Sequence, residues 1–211
     1  TNPLLEEADL ATCLPAARSA GVRTVVDNTF ATPILQRPLE LGAQVVMHSA
    51  TKSLSGHSDL LMGALVIEDP ELAEELRTRR ILLGAAPSAF DAYLALRGVR
   101  TLSLRIQRAE SSAQFLAKKL RNEPSISRVR QAGTMVSIEF GGDAARADRV
   151  CQGTRLWAHA TSLGGVESLL ERRRRWPLEA EHVPEDLVRL SVGIEDPSDL
   201  WADLAQAIHA G

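Results

Sequence analysis

The chain has 211 residues, 45% of them hydrophobic and 24% charged, which is material for one large domain or two modest ones. Its 24 Lys and Arg against 27 Asp and Glu leave a formal charge of −3, too balanced for a nucleic-acid surface to be the main function. No apolar run reaches the roughly 18 residues of a membrane helix. Cys13 and Cys151 lie far apart without ligand spacing, against a disulfide framework or a metal site. A cytoplasmic protein without metal, membrane or nucleic-acid partner is expected.

In chain order, residues 6–20 suit a helix with apolar positions at Leu10, Leu14 and Ala17, an internal Pro15 and a stop at Gly21. Residues 22–26 read as a β-branched strand ending at Asp27. A short helix over 35–41 closes on Gly42, and strands follow over 44–47 and 62–67. Strand, crossover helix and strand make a βαβ unit, so a parallel sheet covered on both faces is expected. Asp69-Pro70 opens a helix, and residues 90–120 look helical with a break at Gly98 and Thr101. Strands are expected over 126–130, 135–140 and 187–194, and helices over 143–151 and 198–210. The change of pattern sets a boundary inside the long helix, giving domains 1–110 and 111–211, the second of α+β type.

The stretch from Met47 to Asp59 carries the strongest chemical signal. It leaves the carboxyl end of a buried strand, where ligands of open α/β sheets gather. Lys52 is one of only three lysines, the others being Lys118 and Lys119 on a polar helix. Ser49 and Thr51 flank it with hydroxyls suited to a phosphate, and a lysine so placed can form a Schiff base with a carbonyl cofactor. A solvated loop lysine is the plain alternative. Asp27 ends the preceding strand, and a carboxylate there could support a pyridine nitrogen opposite such a lysine. An Asx-turn leading into Asn28-Thr29 explains it as well. Arg189 falls on the polar side of the alternating run Val188 to Ile194. That fits either a solvated face or a guanidinium that grips a carboxylate. The run Arg172–Arg175 reads as a solvated basic loop in preference to an anion site.

Five motifs together resemble one family. They are Val26-Asp27-Asn28-Thr29-Phe30-Ala31-Thr32-Pro33, His48-Ser49-Ala50-Thr51-Lys52, Gly56-His57-Ser58-Asp59, the run from Ala160 to Ser168, and the run from Arg189 to Asp196. In this order they resemble the Cys/Met-metabolism family of pyridoxal-phosphate enzymes, which includes cystathionine γ-synthase, cystathionine γ-lyase and methionine γ-lyase. The resemblance implies an α/β fold: the C-terminal part of the large aspartate-aminotransferase-like (fold type I) domain, then a smaller α+β domain. It implies that Lys52 holds pyridoxal 5'-phosphate, Asp27 pairs with its ring nitrogen, and Ser49 and Thr51 bind its phosphate. It also implies that Arg189 grips the substrate α-carboxylate with help from Ser162, and that Asn2 lies near both cofactor and carboxylate. The expected chemistry is β/γ-elimination or γ-replacement on sulfur amino acids in a homotetramer built as a dimer of dimers. A methionine γ-lyase or O-acyl-homoserine sulfhydrylase variant, and a non-catalytic remnant that acts through a partner, are the alternatives. Family chains carry a further N-terminal portion with a phosphate loop and a stacking Tyr, whereas Tyr93 is the only Tyr here. The chain is therefore expected to be part of a longer protein. The arginine run replaces a loop containing Thr and His in better-known members.

Overall fold

In the computed structural model, which describes residues 1–210, Asp9 starts helix α1 (Leu10–Ser19) by accepting from the Thr12 N–H at 3.2 Å. The helix therefore begins later than its apolar pattern suggested. The first seven residues belong elsewhere: the chain forms two compact units, Ala8–Leu102, and Thr1–Glu7 with Ser103 and the residues after it. The division precedes the boundary at 110 read from the sequence.

In the Ala8–Leu102 unit, β1 (Val25–Asp27) leads through a helical turn, α2 (Thr32–Leu35), and a 3-10 turn to β2 (Val45–Ser49). The strands pair in parallel, Val25 opposite Val45 and Asp27 opposite Met47, as a βαβ unit requires. Strand β3 (Gly63–Ile67) instead runs antiparallel to β2, with Met47 opposite Leu65. Between β2 and β3 the chain forms a turn and a loop but no crossover helix, so it reverses direction. The sheet is thus mixed rather than wholly parallel. It is also not covered on both faces within this chain: Val25 is 63% exposed and Leu65 51%. Its packed side is a small cluster of Leu14, Ala43 and Val46. Helix α3 (Pro70–Leu82) is capped by Asp69, and α4 (Ala89–Val99) by a reciprocal Ser88–Asp91 box.

The other unit has a larger core. Helix α5 (Leu102–Leu120) places Ile106, Ala109, Ala113, Leu116, Ala117 and Leu120 on one buried stripe at helical spacing. A five-stranded sheet follows in spatial order β4-β5-β8-β7-β6, comprising β4 (Arg128–Ala132), β5 (Met135–Glu139), β6 (Ala158–His159), β7 (Leu169–Arg172) and β8 (Val188–Ser191). All its pairings are antiparallel except β6 with β7. Helices α6 (Ala144–Gly153) and α7 (Pro197–Ala210) supply Val150, Cys151, Leu200, Leu204 and Ile208 to the same core. Strands β6 and β7 escape the sequence reading. Strand β8 is central, so all four of its residues are buried and the expected polar face of Arg189 and Ser191 is not solvated. No described helix is long and apolar enough to cross a membrane.

Candidate active site

Lys52 sits in the turn Ala50–Leu54 that leaves the carboxyl end of β2. The turn is closed by the Ser55 N–H to the Ala50 carbonyl at 3.0 Å and the Gly56 N–H to the Lys52 carbonyl at 2.8 Å. Lys52 itself leaves helical geometry, with φ −87° and ψ −133°. Thr51 clamps the turn to the residue before β3: its N–H donates to the Met62 carbonyl at 3.2 Å, and its hydroxyl oxygen accepts from the Met62 N–H at 2.9 Å. The hydroxyl also donates to that carbonyl at 3.4 Å. Ser49 is tied through its backbone, its N–H donating to Thr29 Oγ1 at 2.8 Å, and its side-chain hydroxyl takes no partner among the described residues. Of the two expected phosphate hydroxyls, Ser49 is therefore the one at liberty.

Asp27 ends β1 directly beside β2, and its Oδ1 accepts from the Thr29 N–H at 3.0 Å. The Asx-turn is thus present, and it fixes a carboxylate whose Oδ2 takes no hydrogen bond among the described residues. Next in line, His48 is buried. Burial lowers its pKa against the opposing pull of Asp27, so the imidazole is neutral at neutral pH. An amine, an uncommitted carboxylate oxygen and an uncommitted hydroxyl, grouped at the carboxyl ends of two adjacent parallel strands, form the donor set pyridoxal phosphate needs. The residues present fit that cofactor.

Gly98 supports the turn in a way the sequence did not disclose. A Cβ there would lie 2.3 Å from the Ser55 carbonyl oxygen and 2.7 Å from that of Leu54, so α4 reaches the lysine turn backbone to backbone. The sequence marks Gly98 only as a helix break.

The second group of site residues lies on the five-stranded sheet and the first seven residues. Arg189 is 3% exposed. Its Nη1 donates to Asn2 Oδ1 at 2.9 Å, and its Nη2 donates both to the Ser162 carbonyl at 2.8 Å and to Glu171 Oε1 at 2.9 Å. Asn2, Ser162 and Arg189 are thus brought together. Burial, reinforced by the Arg173 charge and countered by Glu171 and Glu179, brings the Arg189 pKa down to about 10, still protonated at neutral pH. Both Nη2 hydrogens are committed and Nε is buried without a partner, which leaves one Nη1 hydrogen beyond the bond to Asn2. Ser162 holds a left-handed backbone (φ 98°) at the head of a loop fastened by the Gly164 N–H to Ser191 Oγ at 2.8 Å and by Ser168 Oγ to Glu195 Oε2 at 2.8 Å.

The arginine run is not a solvated loop. Arg172 pairs with Asp148 at 2.7 Å, Arg173 with Glu171 and Glu179 at 2.5 and 2.7 Å, Arg174 with Glu185 at 2.7 Å, and Arg175 with Glu171 at 3.2 Å. Glu171 itself is fully buried, and the sequence reading passed over it. Burial raises its pKa, but hydrogen bonds from Arg173 and Trp176 and the charges of Arg189 and Arg173 outweigh that and hold it below the ordinary carboxylate range.

The model for "Cys/Met metabolism PLP-dependent enzyme" matches residues 1–209. Cystathionine gamma-synthase of Mycobacterium tuberculosis is 44% identical over 99% of this chain, and the match spans 60% of that relative. A putative cystathionine gamma-lyase of Streptomyces coelicolor is 41% identical over 99% of this chain and 57% of its own length. Among solved structures, a methionine gamma lyase from Micromonospora echinospora superposes with a TM-score of 0.94 at 42% identity, covering 100% of this chain and 63% of that one. The chain therefore spans about three-fifths of the length of the curated relatives it matches. Its fold is that of the corresponding part of these enzymes. The chain belongs to the Cys/Met-metabolism family of pyridoxal-phosphate-dependent enzymes.

Proposed function

We propose that this chain acts with pyridoxal 5'-phosphate on sulfur amino acids, by β/γ-elimination or γ-replacement of the cystathionine γ-lyase or γ-synthase kind. The supporting observation is the pairing of Asp27 beside Met47 on parallel strands, with Lys52 in the turn that leaves β2. Lys52 would hold the cofactor, Asp27 would keep its ring nitrogen protonated, and Ser49 would donate to its phosphate, with Thr51 fixing the turn. Bound there, the cofactor supplies an electron sink for charge developing on the substrate Cα. Lys52 Nζ, once free of the cofactor, would take the Cα proton as general base and could return it on the leaving-group side. Arg189, oriented by Asn2 and the Ser162 carbonyl, holds the α-carboxylate by charge-assisted hydrogen bonds.

The proposed setting is a cytoplasmic homo-oligomer, a dimer of dimers. Its association is supported by large apolar side chains left open in the Ala8–Leu102 unit, among them Leu61 at 84%, Leu82 at 80% and Phe90 at 67% exposure. The same exposure supports the second reading, a non-catalytic chain that works by association. One experiment separates the two. Borohydride reduction of the cofactor-loaded chain should fix the cofactor on the Lys52 peptide, and Lys52→Ala should abolish both this adduct and the visible absorbance band. A band that survives Lys52→Ala would overturn the enzyme reading.

A further inference from the structure

The fully buried carboxylate of Glu171 collects four donors from two parts of the chain. Oε1 accepts from Arg189 Nη2 at 2.9 Å and Arg173 Nη1 at 2.5 Å, and Oε2 accepts from Arg175 Nη2 and Trp176 Nε1, both at 3.2 Å. Arg175 in turn lies over the Trp176 ring, 4.8 Å from its centroid. Arg173 is held a second time by Glu179 at 2.7 Å. Three guanidiniums thus face two carboxylates, an excess of one positive charge around a buried Arg189 whose Nε has no partner.

We propose that Glu171 is a positioning residue for the substrate carboxylate: it fixes the Arg189 guanidinium and ties it to the arginine turn 173–175, so that the turn governs how firmly amino-acid substrates are held. This rests on the reading of Arg189 as the group that takes the α-carboxylate. The physical reason is orientation. A guanidinium is a planar fork whose donors are useful only when its plane is fixed. Asn2 and the Ser162 carbonyl each give Arg189 one contact, and Glu171 gives the charged one. Glu171 can do this only because it is itself ionised and immobile, and Arg173, Arg175 and Trp176 keep it so. A groove contact would tolerate loss of the turn; a buried ion-pair network does not, since removing one member leaves the others desolvated and unpaired.

The test measures binding to the cofactor-loaded chain of two ligands identical but for the α-carboxylate, L-methionine and methylthiopropylamine, read by the change in cofactor absorbance. Glu171→Gln keeps the shape and removes the charge. It should weaken methionine by on the order of tenfold or more, as loss of a group that orients a primary ligand commonly does, and leave the amine unchanged. Glu171→Asp, which keeps the charge but has shorter reach, should fall between and serves if the Gln variant folds poorly. Equal loss for both ligands would mean a merely structural role and overturn the proposal. Tighter methionine binding would overturn it too, making Glu171 a competitor for the fork. Arg189→Ala is the separating control. If it keeps the preference for methionine, the underlying reading of Arg189 fails. If it abolishes the preference while Glu171→Gln does not alter it, only the role of Glu171 fails.

Discussion

The two units of this chain place their functional groups in opposite surroundings. Around the five-stranded sheet, charged groups lie inside a dry interior: Arg189 and Glu171 are 3% and 0% exposed, flanked by Val188, Leu190 and Leu170, each at 1% or less. On β1 and β3, by contrast, apolar strand residues such as Val25, Leu65 and Val66 are exposed, and Asp27 lies at an open strand end. Under the proposed roles, the difference follows from what each group would do. A carboxylate grip gains from desolvation, which strengthens charge-assisted hydrogen bonds, provided every neighbouring charge has a partner. A lysine that reacts with a cofactor, as proposed for Lys52, cannot be sealed in the interior of its own unit, and its turn is held instead by backbone clamps such as Thr51–Met62 and the close approach of Gly98.

Core packing gives the largest expected effect. Leu170, at 1% exposure in β7, packs among residues of α6, α7 and β8. Leu170→Ala should lower unfolding free energy by about 2–5 kcal/mol in denaturant titration, because the cavity cannot collapse within a paired sheet. A loss below about 1 kcal/mol would show that this core is not the closed one described. The next effect belongs to the open unit. Gly98→Ala puts a Cβ against the Ser55 and Leu54 carbonyls, and backbone must shift to admit it. A cost of about 1–3 kcal/mol is expected from this overpacking. Because the displaced backbone is the lysine turn, the yield of borohydride-trapped cofactor should fall as well. Retention of full trapping would mean that the turn is positioned without α4.

Much of the open unit was legible in the sequence because its signals are local. Asp69 caps the helix beside it, Gly42 ends a turn in left-handed geometry, and Asp27 and Lys52 follow apolar runs, whereas the caps Asp9 and Ser88 were passed over. The antiparallel course of β3 was not legible, since it depends on the absence of a crossover rather than on any residue of the strand. In the other unit β7 was lost because Leu169-Leu170-Glu171-Arg172 shows two apolar residues and then two charges, with no alternation. What buries that Glu and Arg comes from afar: Asp148 for Arg172, and Arg189 for Glu171. The arginine run looked solvated for the same reason, its partners Glu179 and Glu185 being visible only once the chain has folded. Arg189 could be singled out as the odd polar residue of an alternating strand, but whether that side met water or protein depended on the strand's place in the sheet.

One conservative substitution, made in both regions, gives the smallest expected effect and the sharpest contrast. Val→Thr keeps the β-branched shape that suits a strand and exchanges a methyl for a hydroxyl. At Val188, fully buried in central β8 and part of the apolar core cluster, the hydroxyl loses its water and should cost about 1–3 kcal/mol. At Val25, 63% exposed on edge strand β1, the hydroxyl meets water, and the change should stay within about 0.5 kcal/mol in dilute protein. Concentration then becomes the decisive variable. If other copies cover β1, Val25→Thr buries an unpartnered hydroxyl in the interface. Its effect on the melting temperature should grow as protein is concentrated, because assembly stabilises only the folded chain. A Val25→Thr penalty that is large and independent of concentration would place β1 in a closed core of its own chain, and the contrast between the two regions would fall.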